Sequence, residues 1–593
     1  AIMANMEDKT TTFRKTTADS IINHDSDNLL LGWLFFSGYS ICLVLVSSLL
    51  TVYWGPGAMG SGVAELIGYL NGVNYPGVFG FETFVTKAIG VVLAVVGGLC
   101  VGKEGPLAHI GAIVGCTVLY LPLPKFEYFR NDKYKRFLIA AGTSAGVSAA
   151  FGAPIGGALF AFEISKPNTF WKFSVVWKTF FTSAISVLTL ATCNDLMDGK
   201  NITEINSAAL KFGTLSISPP TYEVIPGAIV CGFITGLLGG AFVLVNSNLG
   251  VLRKKYITAN WMKVAEAVAF SFLTSSLFFW LPDSNHNCQS ELVSKDNETF
   301  DDLYVAYTCP EGQYNPLATM FFNTEGSAIR VLISSYESPN GIQRSTTTLL
   351  IYLAVWYGLT ISTYGVWVPA GLFLPGIIIG CTVGSLYSNF QMWLMHGDVS
   401  QATIEAQQLS GTFTAETPVL VAAGSMLSAY TRLTYSLVLI MLETTGSINI
   451  FIPMMIGAMM ARATGNLLTN SLYDRAIRAK QLPFLRGTPP FETHELPAQV
   501  IMIRDPVTLQ TISNMRQVKT ALESGHNAFP VLNTAGRLVG LVPKSMVLTI
   551  VEKKSFYNKD ATTSQAVPES AMTSAQRSEG SIQEEYLLQA QAQ

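Results

Sequence analysis

The chain has 593 residues, of which 49% are hydrophobic and only 13% are charged, and its mean hydropathy is +0.36. Soluble globular proteins carry about 25% charged residues, so the composition argues against an ordinary soluble protein. The net charge of −3 gives no indication of nucleic-acid binding.

Residues 1–27 are polar and have no apolar stretch of the kind that a signal peptide needs. We predict a cytosolic N-terminal segment here. The first long apolar run, 29–53, is long enough to span a hydrocarbon core of about 30 Å. A transmembrane domain is therefore predicted over 28–474.

Further apolar runs follow, and several are too short to cross a bilayer. They lie at 86–101, 107–121, 137–163, 174–193, 223–248, 263–281, 346–365, 376–395, 417–442 and 451–469. Glycine and proline interrupt many of them. Broken helices are tolerated in a membrane where they line a polar site, and breaks at matching places in two halves are typical of inverted repeats. The halves here would be about 29–196 and 223–473.

Ser61 lies between two glycines, in the sequence GSGVAE that begins at Gly60. Its hydroxyl can donate one hydrogen bond to an anion, or it can cap the helix that follows. The sequence leaves both alternatives open.

The segment GKEGP at 102–106 places Glu104 at the start of a helix that begins inside the membrane. The unpaired N–H groups and the positive dipole end of such a helix form an anion site. A carboxylate in that site can occupy it, so that a mobile anion must displace it. Alternatively, Glu104 caps the helix or pairs with Lys103.

The polar loops indicate which segments share a side of the membrane. Residues 125–137 hold five Lys or Arg against two acids, which predicts a cytosolic position. Asn201 and Asn297 are in glycosylation sequons, which fit the opposite face. Cys288 and Cys309 flank the second sequon and would form a disulfide on an oxidising side, or remain free thiols.

The sequence GLFLP at 371–375 carries no charge. Gly371 would let the backbone amides of Leu372 and Phe373 approach an anion, or the segment is only a helix kink. Tyr473, after the last apolar run, offers a phenol donor or serves as an interfacial anchor. Neutral donors and helix ends, without a fixed intramembrane cation, favour a weakly hydrated monovalent anion and no metal ion. The polar loops show no nucleophile–base pair or metal cluster, which argues against an enzyme.

The tail divides into a linker at 475–497, an alternating strand and helix pattern at 498–554, and a polar end at 555–593. The strand HNAFPVL, the turn NTAG and the strand RLVGLVPKS resemble a CBS domain. CBS motifs normally work in pairs, and 555–593 would be at most the remnant of a second motif. Such a domain implies either adenine-nucleotide binding or dimer stabilisation alone.

The motifs GSGVAE, GKEGP, AAFGAPIGGALFAFE, GLFLP and SLYDRAI resemble, in order and spacing, the CLC family of chloride channels and chloride/proton exchangers. The loop sequence FFNTEGSAI is most similar to the organellar, lysosomal-type branch. The resemblance implies an all-α polytopic membrane fold with inverted repeats and broken helices, followed by a cytosolic α/β CBS-like domain. It also implies a homodimer in an endomembrane or the plasma membrane, with chloride and protons as substrates and no required cofactor. An accessory subunit is not identified by the sequence.

By motif match, the resemblance makes Glu104 the external gating glutamate. Ser61 and Tyr473 match the hydroxyl donors to chloride, and Gly105, Leu372 and Phe373 lie in the segments that supply amides. These assignments are expectations of the family pattern.

The sequence departs from the family pattern at two positions. Ala64 replaces the usual proline of the GSG motif. Ile164 stands where exchangers carry a proton-relay acid, so that Glu163 before it is predicted to be a structural, hydrogen-bonded carboxylate. Three functions stay open: a chloride/proton exchanger, a passive voltage-gated chloride channel, and a nucleotide-sensing scaffold with a vestigial pore.

Overall fold

The computed structural model describes residues 2–24, 29–73, 77–122, 129–165, 173–197, 222, 224–284, 288–290, 304–310, 312–334, 345–396, 416–482 and 496–553. The chain divides into two compact units, Ala1–Gly487 and Thr488–Gln593. The first contains every apolar helix of membrane-spanning length, and the second contains a small sheet.

The first unit is helical apart from one short two-stranded sheet. The helices of its first half are α1 Ile2–His24, α2 Leu29–Leu49, α3 Val63–Leu70, α4 Phe81–Val96, α5 Glu104–Val118, α6 Asp132–Phe151, α7 Pro154–Ile164 and α8 Phe173–Met197. The second half has α9 Val224–Tyr256, α10 Asn260–Ser284, β1 Gln289–Ser290, β2 Gln313–Tyr314, α11 Pro316–Phe322, α12 Glu325–Ser334, α13 Thr346–Thr363, α14 Phe373–His396, α15 Glu416–Thr431, α16 Tyr435–Thr445, α17 Phe451–Leu468 and α18 Leu472–Ala479.

Within the described residues, seven helical stretches are long and apolar enough to cross a membrane. They contain α2, α8, α9, α10, α13, α14 and α17. The helices α7 and α16 are apolar but only 11 residues long each. The prediction of an all-helical membrane domain with broken helices is confirmed.

Glycines let α5 and α6 approach to backbone contact. A Cβ on Gly142 would lie 2.2 Å from the carbonyl oxygen of Gly111, and a Cβ on Gly111 would lie 2.2 Å from the carbonyl oxygen of Gly142. Membrane helices lack a hydrophobic drive to associate, so close packing of small residues stabilises such pairs. This contact fixes α5, which carries Glu104 at its first residue.

The short helices α7 and α16 cap each other. The carboxylate of Glu163, near the end of α7, accepts hydrogen bonds from the N–H groups of Thr434 (3.1 Å) and Ser436 (3.2 Å). The carboxylate of Glu443, near the end of α16, accepts from the N–H groups of Ile155 (3.0 Å) and Gly156 (2.8 Å). Each carboxylate satisfies donors that a helix start leaves unpaired. The reciprocity means that the two helices run antiparallel, as inverted repeats require.

The polar N-terminal residues form the helix α1, which packs on α2 and α4 within the first unit. Glu7 forms an ion pair with Lys103, next to the start of α5. Residues 129–137 lie at the opposite end of α5, a helix of 15 residues, and lead into α6. The predicted cytosolic position of 1–27 and 125–137 stays a prediction.

Cys288 and Cys309 form a disulfide, with their Cα atoms 5.8 Å apart. Of the two alternatives that the sequence left open, the structure has the bridged form. Asn201 and Asn297 lie outside the described residues.

The second unit contains α19 Ala498–Ile501, β3 Leu509–Gln510, α20 Met515–Glu523, β4 Ala528–Leu532, β5 Leu538–Pro543 and α21 Lys544–Glu552. The strand β4 pairs in parallel with β3 and antiparallel with β5. The hydrophobic core of the second unit consists of Leu509, Ala521, Phe529 and Val547. The two predicted strands and the turn at Asn533–Gly536 are present, with Gly536 at φ 75°. The predicted remnant of a second motif at 555–593 lies outside the described residues.

The Gly142→Ala substitution should destabilise the first unit, because the added methyl group meets the carbonyl of Gly111. Overpacking of this kind costs about 1–3 kcal/mol. The control is Gly38→Ala in α2, where a Cβ meets nothing within 4 Å and alanine is the better helix former. Thermal unfolding in detergent should show a lower Tm for Gly142→Ala alone, and an equal loss in both variants would contradict the packing argument.

Candidate functional site

Three chain breaks meet in the middle of the first unit. Gly102 donates its N–H to the carbonyl of Gly371 (2.8 Å), and Gly371 donates back to the carbonyl of Gly102 (2.7 Å). Gly60 donates to the carbonyl of Val368 (3.0 Å), and Ala370 donates to Gly60 (3.3 Å). The segments that contain Ser61, Glu104 and Phe373 are therefore joined by backbone hydrogen bonds.

Glycines allow the backbones of these three segments to approach one another closely. A Cβ on Gly371 would lie 2.7 Å from the carbonyl oxygen of Gly102, and a Cβ on Gly105 would lie 2.9 Å from Cβ of Ser61. Real Cβ atoms do not approach other atoms so closely. The first turn of α5 thus lies directly against Ser61.

Glu104 is buried between the first turns of α5 and α14, with 1% of its surface exposed. Its carboxylate lies beside the backbone N–H groups of Glu104 itself and of Leu374. Neither carboxyl oxygen makes a hydrogen bond of normal geometry within the described residues. A carboxylate beside two helix N-termini occupies the position that an anion would take.

Tyrosines surround Ser61. The Tyr364 hydroxyl shares a hydrogen bond with the Ser61 side chain, and the N–H of Val63 approaches Ser61 Oγ at 3.4 Å. Tyr430 donates its hydroxyl to the carbonyl of Leu372 at 2.5 Å. Tyr473, buried in the first turn of α18, lies within electrostatic range of Tyr364 and Tyr430.

Sequence analysis missed Tyr364 and Tyr430. Tyr364 lies in the break just before GLFLP, and this position was a usable clue. Tyr430 lies inside an apolar run, where no local pattern distinguishes it from a packing residue. For the predicted residues, the structure brings Ser61, Glu104 and Gly105 into direct proximity. It places Leu372 and Phe373 at the start of α14, where Phe373 packs on the rings of Phe151 and Phe160.

A cavity of about 340 Å³ reaches Ser61 and Tyr364. Its charged lining residues are Glu65, Arg253, Lys254, Lys263, Glu266 and Lys480. Glu65 forms an ion pair with Lys480, and Glu266 pairs with Arg253 at 2.5 Å. Four basic residues against two acids give the cavity an excess of positive charge, which attracts anions.

A buried lysine that the sequence analysis did not single out lies close to this site. Lys87 in α4 has none of its surface exposed, and its Nζ lies 2.8 Å from Nδ1 of His109. A Cβ on Gly62 would lie 2.8 Å from Lys87 Nζ and 2.1 Å from His109 Nδ1. A basic pair therefore stands behind the Ser61–Gly62 turn. Ionisable residues inside a membrane domain are usually functional, and Lys87 within an apolar run was the clue.

The end of α7 carries no acid that could relay protons at the expected position. Ile164 is its last residue and is 3% exposed. Glu163 accepts four hydrogen bonds from Thr434 and Ser436, including one of 2.6 Å from the Ser436 hydroxyl. These bonds agree with the predicted structural role of Glu163.

Comparison with known proteins places this geometry in a family. The H(+)/Cl(−) exchange transporter 7 of Rattus norvegicus is 33% identical over 554 residues, which cover 90% of this chain and 66% of that protein. The chloride channel protein CLC-d of Arabidopsis thaliana is 32% identical, over 88% of this chain and 67% of that protein. The chain thus spans about two thirds of the length of these curated relatives.

Solved structures show the same fold. A eukaryotic CLC transporter matches with a TM-score of 0.62 and 21% identity, over 93% of this chain and 85% of that chain. A slow cyanobacterial Cl−/H+ antiporter matches with a TM-score of 0.61 and 16% identity, over 81% of this chain and 94% of that chain. The family model described as voltage gated chloride channel matches residues 43–466. Since this match covers more than half of the sequence, the chain belongs to the voltage-gated chloride channel (CLC) family.

Proposed function

We propose that this protein transports chloride across a membrane in exchange for protons, with Glu104 as the gate. The observation that carries the proposal is the buried carboxylate of Glu104 between the N-termini of α5 and α14, which makes no hydrogen bond of normal geometry within the described residues. The relatives named H(+)/Cl(−) exchange transporter 7 and the antiporter fold support it.

The mechanism follows from competition for one position. While the carboxylate of Glu104 is charged, it fills the space at the two helix ends and excludes chloride. When a proton binds, the neutral acid no longer competes for the positive helix ends, and chloride can enter. One residue thereby links proton binding to chloride passage.

Chloride would reach this position from the basic cavity at Ser61. Two hydroxyl groups would replace part of the hydration shell of the chloride ion. They belong to Ser61, which is hydrogen-bonded to Tyr364, and to Tyr473. The hydrogen-bonded pair of Lys87 and His109 lies behind the turn and holds it in place. Weak, multiple contacts of this kind let an ion bind and also leave.

A passive chloride channel is the second candidate, and Ile164 favours it. Because Ile164 cannot carry a proton, an exchanger needs another route for protons to Glu104. The nucleotide-sensing scaffold has weaker support, since the gate segment is intact.

The assembly and the soluble module are also proposals. We propose a homodimer with one pathway in each subunit, because the three chain breaks meet within a single chain. The CBS-like module would be cytosolic, and adenine nucleotide binding there remains a proposal, with dimer stabilisation as its alternative. An endomembrane or the plasma membrane is the proposed location.

The first prediction of this proposal separates exchanger from channel. The purified protein in liposomes, with a chloride gradient and the voltage clamped by potassium and valinomycin, should drive protons against their gradient. A pH-sensitive dye inside the vesicles and a chloride electrode outside measure both fluxes. Chloride flux without proton movement would establish the channel instead.

The Glu104→Gln variant should lose proton transport and keep chloride transport, because glutamine fills the same space without a charge or a titrating proton. The same two fluxes are measured. Glu82→Gln is the matched control, since Glu82 is an exposed carboxylate at the start of α4. Coupled transport that persists in Glu104→Gln would show that the gate is elsewhere.

The Tyr364→Phe variant should weaken chloride binding, because it removes the hydroxyl that supports Ser61. Loss of one hydrogen bond of about 1 kcal/mol corresponds to roughly a fivefold higher chloride Kd. Isothermal titration in detergent measures it. Tyr357→Phe is the control, since the Tyr357 hydroxyl donates to the carbonyl of Leu238 in α9 (2.7 Å) and not to Ser61. Equal chloride Kd values in the two variants would show that the Tyr364 hydroxyl does not contribute to chloride binding.

A further inference from the structure

The helix α1 covers a polar region beside the gate segment. Glu7 pairs with Lys103, the residue before Glu104. Arg14 donates to the hydroxyl of Ser40 and to the carbonyl of Val96, each at 3.2 Å, and its guanidinium lies 4.4 Å from the centre of the Phe36 ring. Both Glu7 and Arg14 are buried by these contacts.

Beneath α1 lies a cavity of about 30 Å³. Its polar lining residues are Glu7, Thr11, Arg14, Asn323, Thr324 and Glu325. A smaller cavity of about 10 Å³ shares Glu7 with it and extends to Lys103. A water molecule needs about 10–15 Å³ of such space and two to four polar partners, so the larger cavity accommodates water.

Several buried polar atoms at the larger cavity make no hydrogen bond within the described residues. They are Nε of Arg14, both carboxyl oxygens of Glu325 and Nε1 of Trp356. Donors and an acceptor therefore face one small space. Buried polar groups of this kind destabilise the fold unless they form hydrogen bonds with water.

Glu325 is not needed to cap its own helix. Thr324 already takes that role, since its hydroxyl accepts from the N–H of Ser327 (3.3 Å) and its carbonyl accepts from Ala328 (2.9 Å). Glu325 is 7% exposed and makes no ion pair with the nearby Lys103, which pairs with Glu7. An unpaired carboxyl at this depth is costly and points to a function.

The charged and titratable groups around Glu325 come from several elements. Glu7, Lys103 and Glu104 lie within electrostatic range of it, as do Tyr352 and Cys100. Arg14 lines the same cavity, Cys381 lies within electrostatic range of Tyr352, and Arg330 follows five residues later in α12. Glu325 is thus near Glu104, and its carboxyl oxygens have no hydrogen-bond partner in the described part of the chain.

We propose that Glu325 is a second proton-carrying carboxyl, which exchanges protons with the nearby Glu104 by way of water in the cavity that Glu325 lines under α1. The inference rests on the proposed exchange function. In the transfer, the O–H bond of protonated Glu104 breaks and water takes the proton. Water then gives a proton to the Glu325 carboxylate, which leaves Glu104 as a carboxylate and Glu325 as an acid.

The Glu325→Gln variant of the full chain in liposomes tests this route. Chloride efflux should stay within about twofold of the unsubstituted protein, while proton flux should fall by about a hundredfold, the low end of the typical loss for a missing acid–base group. Glu82→Gln again serves as the isosteric control on an exposed carboxylate. Unchanged proton flux in Glu325→Gln would overturn the assignment.

A second variant separates a proton carrier from a structural carboxyl. Glu325→Asp keeps an acid in an altered position, so the pH at which proton flux is half-maximal should shift. If that pH stays the same, or if both variants lose chloride and proton flux together, Glu325 is structural and the proposal is overturned. Absence of proton flux in the unsubstituted protein would instead overturn the exchange function, and this proposal with it.

Discussion

The constraint on which the structure depends is that backbone groups at a broken helix must find partners away from water. The breaks before α3, α5 and α14 satisfy one another: Gly102 bonds twice with Gly371, and Gly60 bonds to Val368 and Ala370. The starts of α5 and α14 then converge, because their preceding residues are paired. The candidate anion position is a direct result of this pairing, and glycine is required wherever the backbones touch.

Burial and hydrogen bonding together distinguish two pairs of carboxylates in the membrane domain. Glu163 and Glu443 are half-buried and accept hydrogen bonds from the N–H groups of the helices they cap, so their role is structural. Glu104 and Glu325 are buried, and their carboxyl oxygens make no hydrogen bond of normal geometry within the described residues. A buried carboxyl without such a bond is free to bind a proton or to move, and this combination identifies the carboxyls suited to transport.

Part of the fold and of the candidate site could be predicted from local sequence patterns. The breaks, Glu104 as the first residue of α5, and the strands of the C-terminal module follow from glycine, proline and apolar spacing over a few residues. Other contacts join residues that are distant in the chain and could not be predicted from local patterns. Tyr364 bonds to Ser61, which is 303 residues away, and Lys87 contacts His109 and Gly62 only because three segments pack together. The polarity of residues 1–27 indicated a segment separate from the membrane domain. In the structure, two of these polar residues contact that domain: Glu7 pairs with Lys103, and Arg14 donates to Ser40 and Val96.

Charge separates the two spaces that approach the gate. The cavity at Ser61 has four basic residues against two acids, so it attracts chloride. The cavities under α1 are lined by Glu7 and Glu325 against Arg14 and Lys103, so they have no excess of positive charge to attract chloride. A carboxyl there still accepts protons, since it is itself the proton carrier. In the proposed exchange, chloride and protons therefore share Glu104 but arrive from different spaces, and no acid is needed at position 164.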